Sequence, residues 1–320
     1  MMPILEPIPV DTIRAARERI AGSAVRTPLV PLNVDGPAEI HLKLENLQPI
    51  GSFKLRGAAN AVALASEQEL AGGVWTASAG NMAQGVAWCA RARGIPCTVV
   101  VPDTAPAAKL DAIARLGADT LKVPFDEWFE IFRTHEHAGL DGLFVHAFSD
   151  ARVMAGNGTI ALELLEDLPD VAAVVIPYGG GGLACGIASA LRELAPSVRI
   201  YACEADVAAP LAASLAAGEP VLVDHTPSFV DGIGGPFVFD EMFELTRPLI
   251  DDSLVVPLQD VAAAVRLLVE RNHVVAEGAG AVPVAAALAG LAGGGKVACI
   301  VSGGNIDGAK LATILGGGVP

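Results

Sequence analysis

From residue 73 onward the chain repeats one pattern: a short apolar run, a turn, then a longer stretch with helical spacing. Runs at 74–77, 97–101, 120–123 and 143–147 alternate with helical patterns at 83–93, 105–116 and 127–138. A second series opens with a helical pattern at 153–166. It continues through runs at 172–176, 199–203, 254–256 and 296–301, with helices at 183–194, 209–217, 261–270 and 280–291. Strands joined through helices by short loops require right-handed crossovers and a parallel sheet. The expected class is α/β, with open sheets whose ligands sit outside the carboxyl ends of the strands. Neither a linker nor a composition shift separates the two series, and no repeat is visible, so two lobes sharing a cleft are expected.

Before the first series, residues 11–20 read as an amphipathic helix capped by Asp11 or Thr12, and Ile40, Leu42 and Leu44 alternate as in a strand. The stretch Gly51-Ser52-Phe53-Lys54-Leu55-Arg56-Gly57 then leads into a helical pattern. A lysine at a helix start beside an apolar ring such as Phe53 loses solvation, which lowers its pKa. A neutral lysine forms an imine with an aldehyde. Taken alone, such a lysine is ordinarily a solvated first-turn residue, and three glycine-rich turns alter that balance.

Those turns each follow an apolar run: Ser78-Ala79-Gly80-Asn81, Gly179-Gly180-Gly181-Gly182 and Ser302-Gly303-Gly304-Asn305. Four glycines between a strand and a helix leave amides free to meet a phosphate monoester. They do not form a dinucleotide fingerprint, because Cys185 stands where the third glycine belongs, and no Gly-Lys-Ser/Thr follows. A hydroxyl at Ser302 suits a heteroaromatic nitrogen and an amide at Asn81 suits a phenolate oxygen, although each residue alone also reads as a turn or cap.

Composition narrows the partners. Hydrophobic residues make up 52% against 18% charged, which excludes extensive disorder. With 21 Lys and Arg against 36 acids and a net charge of −15, no nucleic-acid partner is expected. The five cysteines are scattered and lack a Cys-x-x-Cys pair, as buried thiols in a reducing compartment would be. Residues 1–19 do not resemble a signal peptide, and Pro177 with the glycines argues against a membrane span at 171–191, so a cytoplasmic protein is expected. His135 and His137 point in different directions on a helix and are read as solvated or helix-end residues; His41, His146, His225 and His273 are isolated and receive no role.

The ordered blocks Lys43-Leu44-Glu45-Asn46-Leu47-Gln48, Gly51 to Ala58, Ser78 to Asn81, Gly156 to Glu163, Gly179 to Leu183, Asp231-Gly232-Ile233, Glu277 to Ala281 and Ser302 to Asn305 together carry a resemblance. The chain resembles the fold type II pyridoxal-phosphate (PLP) enzymes, of the threonine/serine dehydratase and serine racemase group. The resemblance implies a tryptophan synthase β-like fold, with two open, twisted, mostly parallel sheets flanked by helices and the cofactor in the interdomain cleft. A large domain would comprise residues 1–72 and 149–320, and a small mobile domain residues 73–148. It further implies that Lys54 holds the cofactor aldehyde as an imine, Phe53 packs near the ring, and Asn81 bonds its 3′ oxygen. Gly179, Gly180, Gly181, Gly182 and Leu183 would hold the phosphate, and Ser302 the pyridine nitrogen. Ser78, Ala79, Gly80, Asn81 and Met82 would meet the substrate.

The implied activity is an ammonia-lyase that removes the β-hydroxyl of an L-3-hydroxy amino acid, threonine, serine or a bulkier one, to give a 2-oxo acid and ammonia. Lys54 would take the Cα proton and help hydroxide depart. Two alternatives stand beside it: a racemase of the serine racemase type, and a catalytically silent cofactor or amino-acid sensor. Where racemases of the group typically carry a second serine as the opposite-face acid/base, this chain has Ala79, which favours dehydration. Met82 replaces the usual histidine, which suggests room for a 3-aryl or 3-alkyl serine. Some members bind a divalent cation; Glu204 and Ala208 fit such a site, but Pro210 replaces the expected aspartate, so the metal is doubtful. A homodimer is expected, without a regulatory tail after residue 305.

Overall fold

The two series of strands form two separate sheets in the computed structural model, which describes residues 5–320; residues 1–4 of the expected large domain lie outside it. The strands are β1 Leu29–Pro31, β2 Glu39–Lys43, β3 Val74–Ala77, β4 Cys97–Pro102, β5 Asp119–Val123, β6 Leu143–Phe144, β7 Ala173–Pro177, β8 Arg199–Ala205, β9 Asp252–Val256 and β10 Lys296–Ile300. Six make a sheet of order β1-β2-β10-β7-β8-β9, and four a sheet of order β5-β4-β3-β6. Every pairing is parallel except that of β1 with β2. Strand β7 is buried along its full length, as a central parallel strand covered on both faces should be.

Boundaries differ from the sequence expectation where proline or a local partner decides them. The first helix spans Val10–Ile20, and neither Asp11 nor Thr12 caps it. Pro9 sits at the cap position, and the Val10 amide donates to Glu193 at 3.3 Å; Asp11 pairs with Arg14 at 2.9 Å instead. The fourth run of the first series shortens to β6, after which the chain turns at His146. Helix Leu258–Leu267 continues through a wider turn at Leu268–Asn272, ended by His273 in a left-handed conformation.

Helix Lys54–Leu64 joins the two sheets. Leu55, Ala58, Ala61 and Val62 pack into the apolar cluster of the four-stranded sheet, with Val74, Val86 and Val99. Its other side meets helix Ala151–Asp167 so closely that a Cβ on Gly156 would lie 2.3 Å from the Arg56 carbonyl. Two residues after Lys54, the Arg56 guanidinium is 1% exposed and fully partnered. It donates to both oxygens of Glu45 at 2.8 Å and to those of Glu163 at 2.7 and 2.9 Å, while Lys43 Nζ donates to Glu163 at 2.6 Å. The Thr27 hydroxyl also donates to Glu45, at 2.5 Å. A buried ion group whose members are all hydrogen-bonded fixes one geometry, and here it fixes the first turn carrying Lys54.

Candidate active site

Lys54 is the first residue of its helix, and its Nζ donates to the Ala147 carbonyl at 2.7 Å. The Phe53 ring lies 5.1 Å from that nitrogen. Burial pushes the Lys54 amine down to about 8, against the opposing pull of Glu277. The Phe53 amide donates to the Ser302 carbonyl at 3.0 Å, and Ser52 bridges to Gly303, so the lysine loop is stitched to the end of β10. The Ala147 carbonyl is aimed by its neighbours. His146 Nδ1 accepts from the amides of Phe148 at 3.2 Å and Ser149 at 2.6 Å, which bends the chain around position 147.

Asn81 opens helix Asn81–Arg93 and is held at both ends of its amide. Its Nδ2 donates to Glu277 at 2.9 Å, and its Oδ1 accepts from Asn305 at 2.8 Å. Burial raises the Glu277 carboxyl to about 7, with the Asn81 hydrogen bond working the other way and Asp231 adding to the rise. Lys109 pairs with Asp231 at 3.0 Å, linking helix Ala107–Arg115 to the loop near Glu277. Glu277, Ala147, His146 and Asn305 were given no role from the sequence. One signal existed for Glu277: it is the only charge between Arg271 and Lys296, and a carboxylate inside an Ala/Gly/Val run needs a reason to be there.

Gly181 has φ of +89° and Gly182 begins helix Gly182–Leu194. Among the described residues, the amides of Gly179, Gly180 and Gly181 find no acceptor. A Cβ on Gly180 would meet the Phe148 ring at 2.0 Å, so this glycine also serves packing. Leu183 is 5% exposed with its side chain in the main core, and only its backbone can face the loop. Ser302 is 3% exposed at the end of β10. In the first turn, the Ser78 hydroxyl accepts from the Gly80 amide at 3.3 Å; Ser78, Ala79 and Gly80 are half-buried.

One expectation, for Met82, needs correction, and the glutamate of the doubtful metal site has other partners. Met82 is 1% exposed and packs with Ile50, Leu55 and Val86 in the core under the helix, so it does not front the cleft. Glu204 accepts from the amides of Leu211 and Ala212, both at 2.9 Å, and from the Ser253 hydroxyl at 2.8 Å. Its carboxylate is committed to the start of helix Pro210–Ala217 rather than to a cation shared with Ala208. Among the described residues no group of three or more His, Cys, Asp or Glu is arranged around a metal position. His135 ends helix Phe125–Thr134 in a left-handed conformation, its ring tilted against that of His146 at 4.6 Å between centroids.

A family model described as pyridoxal-phosphate dependent enzyme matches residues 20–303. The chain belongs to that family. An L-threonine ammonia-lyase of Thermotoga maritima is 43% identical over 94% of this chain and 76% of its own length. The catabolic L-threonine dehydratase TdcB of Escherichia coli K12 is 36% identical over 97% of each chain. Maize serine racemase superposes with a TM-score of 0.88 at 32% identity, over 96% of each chain. The fold is the α/β arrangement of two mostly parallel sheets expected from the sequence, and the cofactor is pyridoxal phosphate.

The residues present fit pyridoxal phosphate. The free amides of Gly179, Gly180 and Gly181 at a helix start suit its phosphate, and Asn81 keeps a second Nδ2 hydrogen for an oxygen on the ring. Ser302 offers a hydroxyl for the ring nitrogen and Lys54 an amine of lowered pKa for the aldehyde.

Proposed function

We propose that this protein is an ammonia-lyase acting on an L-3-hydroxy amino acid, yielding a 2-oxo acid and ammonia. The observation that carries this reading is the Lys54 amine, lowered to about 8 by burial and held by one neutral carbonyl, while the turn Ser78 to Asn81 carries Ala79, which has no hydroxyl to act as a second proton carrier. When bound, pyridoxal phosphate supplies an electron sink for the pair left as the Cα proton departs. Lys54 takes that proton at Nζ, with the Ala147 carbonyl fixing the direction of the amine. The same Nζ then supplies the proton that lets hydroxide leave Cβ as water. Backbone amides around Ser78 to Asn81 bind the substrate carboxylate. Ser302 would hold the ring nitrogen through a neutral hydroxyl, a partner that suits elimination of the β-substituent.

Residues 73–148 act as the unit that closes the cleft, with Lys109 and Asp231 meeting across it. A cytoplasmic homodimer belongs to this reading; separately, no helix among the described residues is long and apolar enough to cross a membrane. The test is a 2-oxo acid assay of the protein loaded with pyridoxal phosphate, supplied with serine, threonine and larger 3-hydroxy amino acids. Ketone and ammonia in equal amounts support a lyase. Inversion of residual L-serine without ketone would instead establish a racemase.

A further inference from the structure

Five of the ten phenylalanines meet in one patch at the edge of the Lys54 site. Phe129 and Phe132 lie on helix Phe125–Thr134, Phe148 follows β6, and Phe237 and Phe239 lie in the segment before helix Asp240–Thr246. Their ring centroids form a connected set: Phe129 to Phe237 at 5.9 Å, Phe237 to Phe239 at 5.3 Å, Phe239 to Phe148 at 5.5 Å and Phe148 to Phe132 at 5.5 Å. Most of these pairs are tilted or edge-on, the arrangements that aromatic quadrupoles favour.

All five are half-buried rather than core. Phe129 and Phe237 belong neither to the four apolar clusters nor to the side chains packed against them. A single half-exposed phenylalanine means little, but a contiguous set drawn from segments far apart in the chain makes an apolar surface able to receive an apolar group. The patch is continuous with the chemistry. Phe148 follows Ala147, whose carbonyl holds Lys54 Nζ at 2.7 Å, and its ring lies where a Cβ on Gly180 would be.

We propose that the substrate carries an aryl group on its β-carbon, seated against Phe129, Phe132, Phe148, Phe237 and Phe239. This rests on the lyase reading above and names its substrate class. Met82 lies in the core, so a preference for a large substituent resides in this patch instead. The net reaction is redox-neutral. The Cα–H and Cβ–OH bonds break with loss of water, the resulting enamine shifts a proton to carbon, and one water hydrolyses the C=N bond to give an aryl-substituted 2-oxo acid and ammonia. Serine and threonine place only hydrogen or methyl at that position and leave the rings in water.

The test uses the enzyme loaded with pyridoxal phosphate and compares kcat/KM for L-threo-3-phenylserine, L-threonine and L-serine by ketone formation. Phenylserine is expected to exceed threonine by about tenfold or more. Phe237→Ala, which removes a ring outside the core, should lower the phenylserine-to-threonine ratio by roughly fivefold or more, chiefly through KM. A preference for threonine or serine, or an unchanged ratio in the variant, overturns the aryl site while the lyase reading stands. Ketone from none of the three would remove the lyase reading. The patch is then judged by binding alone, through quenching of Trp128, which stacks 5.4 Å from Phe132. Tighter binding of L-phenylalanine than of L-alanine upholds the aryl site, and equal binding rejects it.

Discussion

Lys54 and Arg56 are two residues apart on one helical turn, and their surroundings are opposite. Arg56 is enclosed by Glu45 and Glu163, so burial works against its charge but two carboxylates overcome it and hold its pKa above the ordinary value. Among the described residues Lys54 Nζ has only the Ala147 carbonyl within hydrogen-bond reach, with Glu277 acting from further away, and burial prevails. Loss of water thus leaves a permanent cation in one case and a titratable amine in the other. The difference lies in carboxylate partners. Structure is anchored where they are supplied, and chemistry becomes possible where they are withheld.

Removing the amine should produce the largest effect. Lys54→Ala is expected to abolish the visible absorbance of the bound cofactor and to lower kcat by about 10³-fold or more, since it removes both the attachment point and the proton carrier. Retained absorbance at full intensity in that variant would sink the assignment. Glu163→Gln attacks the other side of the comparison. It leaves Lys43 and Arg56 short of one negative charge inside the protein, at a cost of about 3–5 kcal/mol in a urea titration of the apoprotein. The protein that remains folded should keep the pKa of Lys54, because Glu163 is not among the groups that shift it. If instead the amine's titration moved and stability did not, the separation of roles between the two cations would collapse.

The alternation of strands and helices, the three glycine turns and the position of Lys54 were legible because each rests on local pattern: period, turn chemistry and helix starts. Non-local partners left no such trace. Asn81 and Glu277 are 196 residues apart, and nothing local in either segment announces the 2.9 Å contact. His146 looked isolated because its partners are the amides of Phe148 and Ser149, which any sequence would supply. Met82 was misplaced for a related reason. Neighbouring positions on a helix point in different directions, so Asn81 reaches Glu277 and Asn305 while Met82 enters the core. The aromatic patch was invisible because its five rings come from three segments spread between residues 129 and 239.

The smallest expected effect is the most pointed, because it changes a charge without moving an atom. Only the neutral form of Lys54 attacks an aldehyde, so the rate at which apoprotein gains pyridoxal-phosphate absorbance should rise about tenfold per pH unit and level off above about 8. Glu277 favours the charged amine and therefore raises that midpoint, to the extent that it is itself ionised; its own carboxyl sits at about 7, so near pH 8 it is mostly anionic. Glu277→Gln keeps an oxygen to accept from Asn81 while removing the charge. The midpoint should fall by about half a unit, and at pH 7 the variant should load faster than the parent despite its weaker electrostatics. The sign is the discriminating part. A midpoint that rises would mean that Glu277 acts on Lys54 through the position of Asn81 rather than through its charge, and the contrast between Lys54 and Arg56 would then be one of geometry instead of carboxylate supply.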